Sequence, residues 1–538
     1  MQNEPWNIAE ALEHAARFHG EVEVVTRRVE DGVIHRYTYA DVLPRARKLA
    51  GALKNLGVEF GDRVGTMGWN TWRHLEAWYA ISGQGAICHT INPRLFEQQI
   101  EYIINHAENR VLLLDPPFVP MMERLQKKVL SIQHYVVLTD DEHMPSTELR
   151  NAVAYESLIA DEPEEFDWPT LPHECPSTLC YTSGTTGNPK GVLYTHRSNM
   201  LHAYAVNAKD AIGVSGGDSM LMVVPMFHAN SWGLAFACPM VGAKLVLPGA
   251  RLDGASVYEL LDQERISLSA AVPTVWNMLL GHLRENNLKL PHLEEVMIGG
   301  TAVPQHLMEA FDQEFDVTVI HGWGMTELSP LGTISRLQSF MKDWSYEQQV
   351  EVRLKQGSPI FGVAMKIVDD ENNKLPHDGE AFGRLLVKGP WIIDRYYRAE
   401  NDAVDEEGWF DTGDVATIDR YGYMQITDRA KDLIKSGGEW ISSADLENAA
   451  MRHDDVVLAA VIGVAHPKWE ERPLLVVKAA DGADVTKEEL LSFLSDKVVK
   501  WWLPDDVVFV DEIPLTATGK ISKLQLRKQF QDYALPTA

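Results

Sequence analysis

The chain has 538 residues, 45% of them hydrophobic, and a formal net charge of −28. One hydrophobic core rarely serves so long a chain, so we expect at least two domains. The acidic charge excludes general nucleic-acid binding, because contact with a phosphate backbone requires a basic face. The four cysteines have no metal-binding spacing and are interpreted as reduced, buried thiols: Cys88, Cys175, Cys180 and Cys238.

The apolar segments predict neither secretion nor a membrane span. The first residues, MQNEPWNIAEALEHAARF, lack a basic region followed by an apolar core. The longest apolar run, 456–465, is about half the length that a membrane span requires. We therefore expect a cytoplasmic protein.

Helix-like and strand-like segments alternate along the first part of the chain. Residues 8–19 and 39–56 have the spacing of amphipathic helices, and 62–70 is typical of a strand that leads into a turn. This alternation predicts βαβ units.

The stretch YTSGTTGNPKGV, residues 181–192, lies between strand-like segments at 177–181 and 192–194. Its hydroxyl side chains and glycines allow backbone N–H groups to approach phosphate oxygens. The order differs from the GxxxxGK[ST] pattern of common nucleotide-hydrolysing ATPases, because Lys190 precedes its glycine. We interpret the stretch as a polyphosphate-binding loop; the alternative is a solvated linker.

The elements after the loop indicate a mostly parallel sheet that is covered on both faces. Helices are predicted at 198–208 and 257–264, and buried strands at 220–224 and 243–247. Residues 360–427 alternate in short strands and predict a small antiparallel or barrel-like subdomain. From about residue 428 the pattern is again mixed α/β.

Three stretches between residues 224 and 327 carry candidate site residues. VPMFHANSWG, 224–233, places His228 and Trp232 one helical turn apart, and GGTAVP, 299–304, predicts a tight turn after a strand at 295–298. Either stretch alone is more typical of a core or a turn than of a functional site. HGWGMTE, 321–327, sets an aromatic ring between two glycines and ends in Thr326 and Glu327, which suits a flat base followed by ligands for a hydrated metal.

Three further stretches lie near the C-terminus. In GWFDTGD, 408–414, Asp414 suits a ribose diol, although an aspartate after glycine is also a common turn residue. TDRAKDLIKSGGEW, 427–440, carries three cations and a Gly-Gly turn. PLTATGKISK, 514–523, places Lys520 after a glycine turn, where a solvated lysine is the alternative.

Together these blocks resemble the adenylate-forming superfamily of acyl-CoA synthetases, luciferases and peptide-synthetase adenylation domains, over residues 8–535. The stretches VPMFHANSWG, AVPTVWNMLL, KDLIKSGGEWISSADLEN and HPKWEERPL are similar to bacterial long- and medium-chain fatty acyl-CoA synthetases and 3-methylmercaptopropionate-CoA ligases. The resemblance implies an α/β fold with a large N-terminal domain, 1–428, of stacked α/β subdomains plus a small β subdomain. A small, mobile α+β C-terminal domain, 429–538, would follow.

The resemblance also implies site residues and the use of ATP, Mg²⁺ and coenzyme A. The loop residues implied to hold the ATP phosphates are Thr182, Ser183, Gly184, Thr185, Thr186, Gly187 and Lys190. Thr182 and Glu327 would lie near Mg²⁺. The residues implied for adenine and the α-phosphate are Thr301, His321, Gly322, Trp323, Gly324 and Thr326. Those implied for the ribose and the rest of the nucleotide are Asp414, Arg429, Lys431, Lys435, Gly437, Gly438 and Trp440.

Five of the implied residues have roles in catalysis or acyl binding. Lys520 matches the catalytic lysine of adenylation, and Lys431 matches the hinge about which the C-terminal domain rotates. His228, Trp232 and Gly300 are implied to contact the acyl substrate. His228 is interpreted as an aromatic at the acyl and thiol junction, with base assistance to the thiol as an alternative.

The expected function is that of an ATP-dependent acyl-CoA synthetase, an acid-thiol ligase. It would convert a fatty or short thioether carboxylic acid, through acyl-AMP, into acyl-CoA, AMP and pyrophosphate. A 3-methylmercaptopropionate-CoA ligase is the specific alternative; a carrier-loading adenylation enzyme and a non-catalytic acyl-nucleotide sensor are the others. A homodimer is expected. The acyl chain length is left open, because it depends on packing.

Overall fold

The computed structural model describes residues 2, 4–182, 188–429, 432, 434–436, 439–480, 482–515 and 521–538. The chain divides into two compact units. The first contains most of the chain up to Ala364 together with Lys388–Gly408, and the second contains Met365–Val387 and Trp409–Ala538. Within the described ranges, no helix has the length and apolar character needed to cross a bilayer.

The first unit is built from alternating strands and helices. Its strands are β1 Glu23–Arg27, β2 Ile34–Thr38, β3 Arg63–Met67, β4 Ile87–Thr90, β5 Val111–Leu114, β6 His134–Val137, β7 Ala152–Ala154, β8 Pro176–Tyr181, β9 Gly191–Thr195, β10 Ser219–Met222, β11 Lys244–Leu247, β12 Leu268–Ala271, β13 Glu295–Gly299, β14 Thr318–Gly324, β15 Leu331–Ile334 and β16 Ser358–Pro359. Its α-helices are α1 Ala9–Phe18, α2 Tyr39–Asn55, α3 Trp72–Gly83, α4 Glu97–Ala107, α5 Val119–Leu125, α6 Tyr155–Ile159, α7 His196–Asn207, α8 Leu234–Val241, α9 Gly254–Gln263, α10 Pro273–Glu285, α11 Gln305–Phe315 and α12 Tyr346–Leu354. Short 3₁₀ helices lie at Pro116–Phe118, Ala229–Gly233, Thr326–Leu328 and Ser339–Asp343.

The strands of this unit form two sheets in the part of the chain that the structure describes. Sheet I has the order β7-β6-β5-β3-β4-β8-β9 and is parallel except for β9, which pairs antiparallel with β8. Sheet II has the order β16-β15-β14-β13-β12-β10-β11-β1-β2 and is parallel from β14 to β1. The prediction of mostly parallel sheets is confirmed.

Helices bury apolar side chains against these sheets and start at recognisable caps. One hydrophobic core contains side chains of both sheets and of α2, α3, α7 and α8. Every residue of α3 is buried. Thr195 caps α7 by accepting a hydrogen bond from the backbone of Ser198, which satisfies a donor that the first helical turn leaves unpaired.

The second unit combines a meander of strands with a smaller α/β layer. Its elements are β17 Ala364–Val368, β18 Phe382–Lys388, β19 Phe410–Ile418, β20 Met424–Arg429, β21 Ile434–Ser436, β22 Glu439–Ile441, α13 Ser443–Ala450, β23 Val456–His466, β24 Glu470–Ala479, α14 Lys487–Ser495, a 3₁₀ helix Lys500–Trp502, β25 Asp506–Phe509 and α15 Lys523–Gln529. As far as the described residues go, sheet III has the order β17-β18-β19-β20, and sheet IV has the order β22-β21-β24-β23 with β25 beside β24.

The element predictions agree with these bounds within a few residues. The helices predicted at 8–19, 39–56, 198–208 and 257–264 are α1, α2, α7 and α9. The short strands of 360–427 form sheet III, whose β18, β19 and β20 pair antiparallel. The four cysteines are buried and reduced. The domain boundary placed after residue 428 falls within β20 and stays a prediction.

Candidate active site

Three of the predicted stretches follow neighbouring strands of sheet II. Residues 224–233 follow β10, residues 299–304 follow β13, and residues 321–327 contain the end of β14. Because β10, β12, β13 and β14 are adjacent and parallel, their carboxyl ends lie at one edge of the sheet. That edge is where open α/β sheets bind ligands. The fold therefore brings these three stretches together.

The stretch that carries Trp232 differs from its prediction. The four-residue spacing from His228 indicated a normal helical turn, but Ala229, Asn230, Ser231 and Trp232 all have positive φ, between 41° and 55°. The turn is therefore left-handed, a conformation that L-residues adopt at a cost of about 1–2 kcal/mol each. Local spacing missed it because the hydrogen bonds that hold the turn come from distant residues.

Those hydrogen bonds are buried. The Asn230 side-chain amide donates to Oδ1 of Asn199 on α7 at 2.9 Å, and Ser231 Oγ donates to the carbonyl of Val224 at 2.9 Å. Asn199 in turn donates to the hydroxyls of Ser177 and Thr178 on β8, at 3.0 Å each. The turn is thus tied to the strand that leads into the glycine-rich loop.

Trp232 packs against the glycine pair at the end of β13. A methyl group placed on Gly299 would lie 3.1 Å from its indole ring and 2.8 Å from the carbonyl oxygen of Gly322. Only glycine allows this close approach. Gly300 has φ of 85°, a value that also favours glycine, and it turns the chain toward Thr301.

Trp323 and His321 are both buried at the end of β14. Trp323 is 8% exposed and lies against Gly332, where a methyl group would be 2.6 Å from the indole. Burial lowers the pKa of His321 to about 4, although the carbonyl groups of Leu354, Lys355 and Thr301 favour its charged form. His321 is therefore a neutral ring at physiological pH, with its Nδ1 2.9 Å from the oxygen of Leu354.

The glycine-rich loop is closed at its base by its own two ends. The backbone N–H of Thr182 donates to the carbonyl of Lys190 at 2.9 Å, and the N–H of Lys190 donates to Oγ1 of Thr182 at 3.2 Å. These bonds extend the β8–β9 hairpin and set the two residues side by side. The predicted phosphate contacts Ser183, Gly184, Thr185, Thr186 and Gly187 lie outside the described residues.

The turn with Thr326 and Glu327 is linked to this hairpin. The hydroxyl of Tyr194 on β9 donates to the carbonyl of Thr326 at 2.5 Å. Glu327 is 7% exposed, and its Oε1 accepts a hydrogen bond from the Tyr396 hydroxyl at 2.8 Å. Nζ of Lys190 lies 4.7 Å from the centroid of the same Tyr396 ring. Sheets I and II thus meet at this cluster within the first unit.

The residues fit Mg²⁺ that arrives with a nucleotide. Mg²⁺ commonly binds one or two carboxylates together with substrate phosphates and water, rather than a cage of protein ligands. Glu327 supplies a carboxylate next to the hairpin that holds Thr182. Among the residues that the structure describes, no group of three His, Cys, Asp or Glu side chains is arranged to hold a metal by itself.

The second unit contains the predicted ribose and C-terminal residues. Asp414 is buried, and the register of sheet III sets it opposite Arg429 on β20. In sheet IV, Lys435 is exposed and stands opposite Trp440 in the β21–β22 hairpin. Lys431, Gly437, Gly438 and Lys520 lie outside the described residues.

Sequence reasoning missed three residues that shape this region. Tyr396 was not singled out, although YY in the charged stretch DRYYR is an unusual signal. Tyr194 was read only as part of a strand, and Asn199 only as part of a helix. Each acts through a partner that is distant in the chain.

Comparison with known proteins agrees with this arrangement. Residues 12–397 match the family described as AMP-binding enzyme, and 445–520 match the AMP-binding enzyme C-terminal domain. The chain is 46% identical over 532 residues to 3-methylmercaptopropionyl-CoA ligase of Ruegeria lacuscaerulensis, covering 99% of this chain and 98% of that protein. It is 46% identical to the medium-chain-fatty-acid–CoA ligase of Ectopseudomonas oleovorans, covering 98% and 96%. A crystal structure of an anthranilate CoA ligase with anthranoyl-AMP superposes with a TM-score of 0.86 at 25% identity, covering 98% of each chain.

Proposed function

The chain belongs to the AMP-binding enzyme family, and on that premise we propose that it is an ATP-dependent acyl-CoA synthetase. The observation that carries the proposal is the cluster of Lys190, Tyr396 and Glu327 at the base of the glycine-rich loop. It sets a cation and a carboxylate beside the loop that the sequence assigns to polyphosphate.

Two chemical steps follow from this assignment. A carboxylate cannot be attacked directly by a thiol, because its leaving group would be an oxide. In the first step a carboxylate oxygen therefore attacks the α-phosphorus of ATP, the bond to the β-phosphate oxygen breaks, and pyrophosphate leaves. In the second step the thiolate of coenzyme A attacks the acyl carbonyl, AMP leaves, and the thiol proton passes to solvent.

The residues of this chain serve the first step by electrostatics. Attack of one anion on another requires cations near both, and a well-placed ammonium contributes roughly 10²- to 10³-fold in rate. We assign that role to Lys520, with Lys190 beside the departing phosphates. Mg²⁺, held by Glu327, Thr182 and the phosphates, would neutralise further negative charge when bound.

The second step requires room for the thiol. We propose that residues 1–428 and 429–538 act as two domains and that Lys431 is the hinge about which the second rotates, removing Lys520 and presenting Gly437 and Gly438. His228, half-buried after β10, would border the acyl carbonyl. No nucleophilic side chain is needed.

The substrate acid is proposed to have an unbranched apolar chain. Its path would run past Trp232 and the Gly299–Gly300 turn, where an indole lies against bare backbone. A medium-chain fatty acid and a short thioether acid, 3-methylmercaptopropionate above all, both fit this description. A carboxylate panel from about four to about sixteen carbons, with the thioether included, decides between them.

The reaction is tested by its two halves. Acid-dependent exchange of labelled pyrophosphate into ATP should occur without coenzyme A, and addition of coenzyme A should release AMP. Exchange without CoA-dependent release of AMP would indicate a carrier-loading enzyme. Absence of exchange with every acid would indicate a non-catalytic acyl-nucleotide sensor and contradict the proposal.

A homodimer in the cytoplasm completes the proposal. Light scattering of the purified protein measures its oligomeric state, and fractionation of expressing cells measures its location. A monomeric mass at micromolar concentration would contradict the dimer without bearing on the reaction.

A further inference from the structure

Tyr396 lies between two residues of opposite charge in the first unit. Its hydroxyl is 2.8 Å from Oε1 of Glu327, and Nζ of Lys190 lies 4.7 Å from its ring centroid. Glu327 is buried, Tyr396 is half-buried and Lys190 is exposed. One side chain therefore contacts both residues assigned above to the metal and the phosphates, and the inference drawn from it rests on the proposed function.

The backbone around Tyr396 is fixed to both partners. The N–H of Ile393 donates to the carbonyl of Glu327 at 2.9 Å, and the N–H of Tyr397 donates to the carbonyl of Gly191 at 2.8 Å. Gly191 is the residue after Lys190. The segment 393–397 therefore joins the glutamate turn to the start of β9, and these bonds fix the backbone on either side of Tyr396.

The two contacts of Tyr396 have different chemical effects. Its O–H donates to one oxygen of the Glu327 carboxylate. An ionised carboxylate has about four acceptor sites, so this hydrogen bond and a bound metal are compatible. The aromatic face attracts the Lys190 ammonium but accepts no conventional hydrogen bond from it, so the ammonium keeps its charge and its donors for a phosphate. A carboxylate in place of the ring would neutralise Lys190.

We propose that Tyr396 is a positioning residue for the phosphate end of the nucleotide site, with two separable actions. Its hydroxyl aims the Glu327 carboxylate toward the metal, and its ring holds the Lys190 ammonium beside the phosphate loop. The hydroxyl then affects metal affinity, and the ring affects nucleotide affinity even without metal.

Two substitutions separate these actions. Tyr396→Phe removes the hydroxyl and keeps the ring, whereas Tyr396→Leu removes both. Tyr397→Phe is the matched control, because the neighbouring side chain contacts His106 and Arg398 rather than Glu327 or Lys190. Its backbone bond to Gly191 is unaffected by the change.

The readout is binding by the full-length protein without acid or coenzyme A. The probe is an α,β-methylene analogue of ATP, which cannot release pyrophosphate and so cannot transfer its adenylyl group, with Mn²⁺ detected by electron paramagnetic resonance. We expect Tyr396→Phe to weaken Mn²⁺ binding to the protein–nucleotide complex roughly tenfold, since a hydrogen bond to a charged group is lost. Metal-free nucleotide affinity, measured by calorimetry, should stay unchanged in Tyr396→Phe and fall roughly two- to fivefold in Tyr396→Leu.

A double-mutant cycle protects the test against a general effect on folding. If Tyr396 acts through the carboxylate, Tyr396→Phe should add little to the loss of Mn²⁺ affinity caused by Glu327→Gln. Full additivity would overturn the proposal. So would unchanged Mn²⁺ affinity in Tyr396→Phe, or an equal loss in Tyr397→Phe.

The same samples distinguish this inference from the proposed function. If the wild-type protein binds Mn²⁺ and the analogue with the predicted pattern but shows no acid-dependent pyrophosphate exchange, the synthetase proposal fails and the role of Tyr396 stands. If the wild-type protein catalyses exchange and Tyr396→Phe binds Mn²⁺ normally, only the role of Tyr396 fails.

Discussion

At the scale of single residues, Trp232 is the side chain most relevant to substrate choice. It is 8% exposed and lies against Gly299, at the edge where β13 ends. Two interpretations stay open: a permanently packed core aromatic, and a gate over an acyl tunnel. Both place an indole at the same position, but they differ in whether its loss changes which acids are accepted.

We expect Trp232→Ala to shift the ratio of rates for long over short acids, because each methylene that gains a buried site contributes about 0.8 kcal/mol. Melting temperature and rates for the carboxylate panel measure the two effects together. A purely packed indole would instead cost about 3–5 kcal/mol of stability. A large fall in melting temperature with an unchanged chain-length profile would therefore show that Trp232 is only a core residue.

Lys520 is the residue whose role is most specific to one half-reaction. If it stabilises only the adenylation transition state, Lys520→Ala should lower the overall rate by about 10²- to 10³-fold while thioester formation from supplied acyl-AMP is nearly unchanged. Single-turnover assays of each half-reaction make the comparison. Equal losses in both halves would contradict this role.

At the scale of elements, the left-handed turn 229–233 stores backbone strain next to the site. Asn230 has φ of 53°, and its side chain is held by Asn199. Such strained turns persist where surrounding bonds fix them, and they are frequent at functional sites. The backbone strain at Asn230 and its hydrogen bond to Asn199 affect the turn separately, and two substitutions of Asn230 distinguish their effects.

We expect Asn230→Gly to be milder than Asn230→Ala. Glycine adopts the positive φ without cost and loses only the hydrogen bond, whereas alanine also opposes the backbone conformation by about 1 kcal/mol or more. The difference should appear as a larger rise in KM for the acid than for ATP in Asn230→Ala. Asn207→Ala is the control, because Asn207 lies on α7, the helix that carries Asn199, but its side chain donates to the carbonyl of Ala237. Equal effects of glycine and alanine would show that the conformation is not limiting.

At the scale of the whole molecule, buried histidines predict how stability depends on pH. Burial lowers the pKa to about 3 for His202 and to about 4 for five others in the described chain, of which His35 is only half-buried: His35, His74, His89, His196 and His321. Each stays neutral in the folded protein but binds a proton in the unfolded chain below about pH 6.5. The folded state therefore loses stability as pH falls from about 6.5 to about 4.

Three carboxyl groups of the described chain oppose this trend, because burial raises the pKa values of Asp115, Glu76 and Glu10. The pKa of Asp115 rises to about 7, so this group is protonated in the folded state across the same window and offsets one histidine. We expect the urea midpoint to be lower at about pH 5 than at about pH 7.5. His202→Gln keeps an acceptor for the N–H of Leu331. The substitution should reduce the dependence of the unfolding free energy on pH by up to about 1.4 kcal/mol per pH unit. If this pH dependence is unchanged in His202→Gln, then His202 does not contribute to the loss of stability at low pH.

Much of the fold follows from local pattern. Helical spacing predicted α1, α2, α7 and α9, because a buried face repeats every three to four residues whatever the partner is. Short apolar runs predicted six strands of the two large sheets, namely β3, β8, β9, β10, β11 and β13. The order of glycine, hydroxyl and charged residues in the 181–192 and 321–327 stretches likewise indicated a nucleotide, since phosphate and metal binding require those groups in one place.

What the sequence could not supply is the pairing of distant residues. Tyr396 meets Glu327 across 69 positions, and Asn199 meets Asn230 across 31. Periodicity reports which face of an element is buried, but it does not report which other element covers that face. The family was therefore predicted correctly from the chain alone, whereas the site residues that the resemblance implies stay predictions. The left-handed turn at Trp232 and the tyrosine between Lys190 and Glu327 were decided by the tertiary structure, because only folding brings their hydrogen-bonding partners into contact.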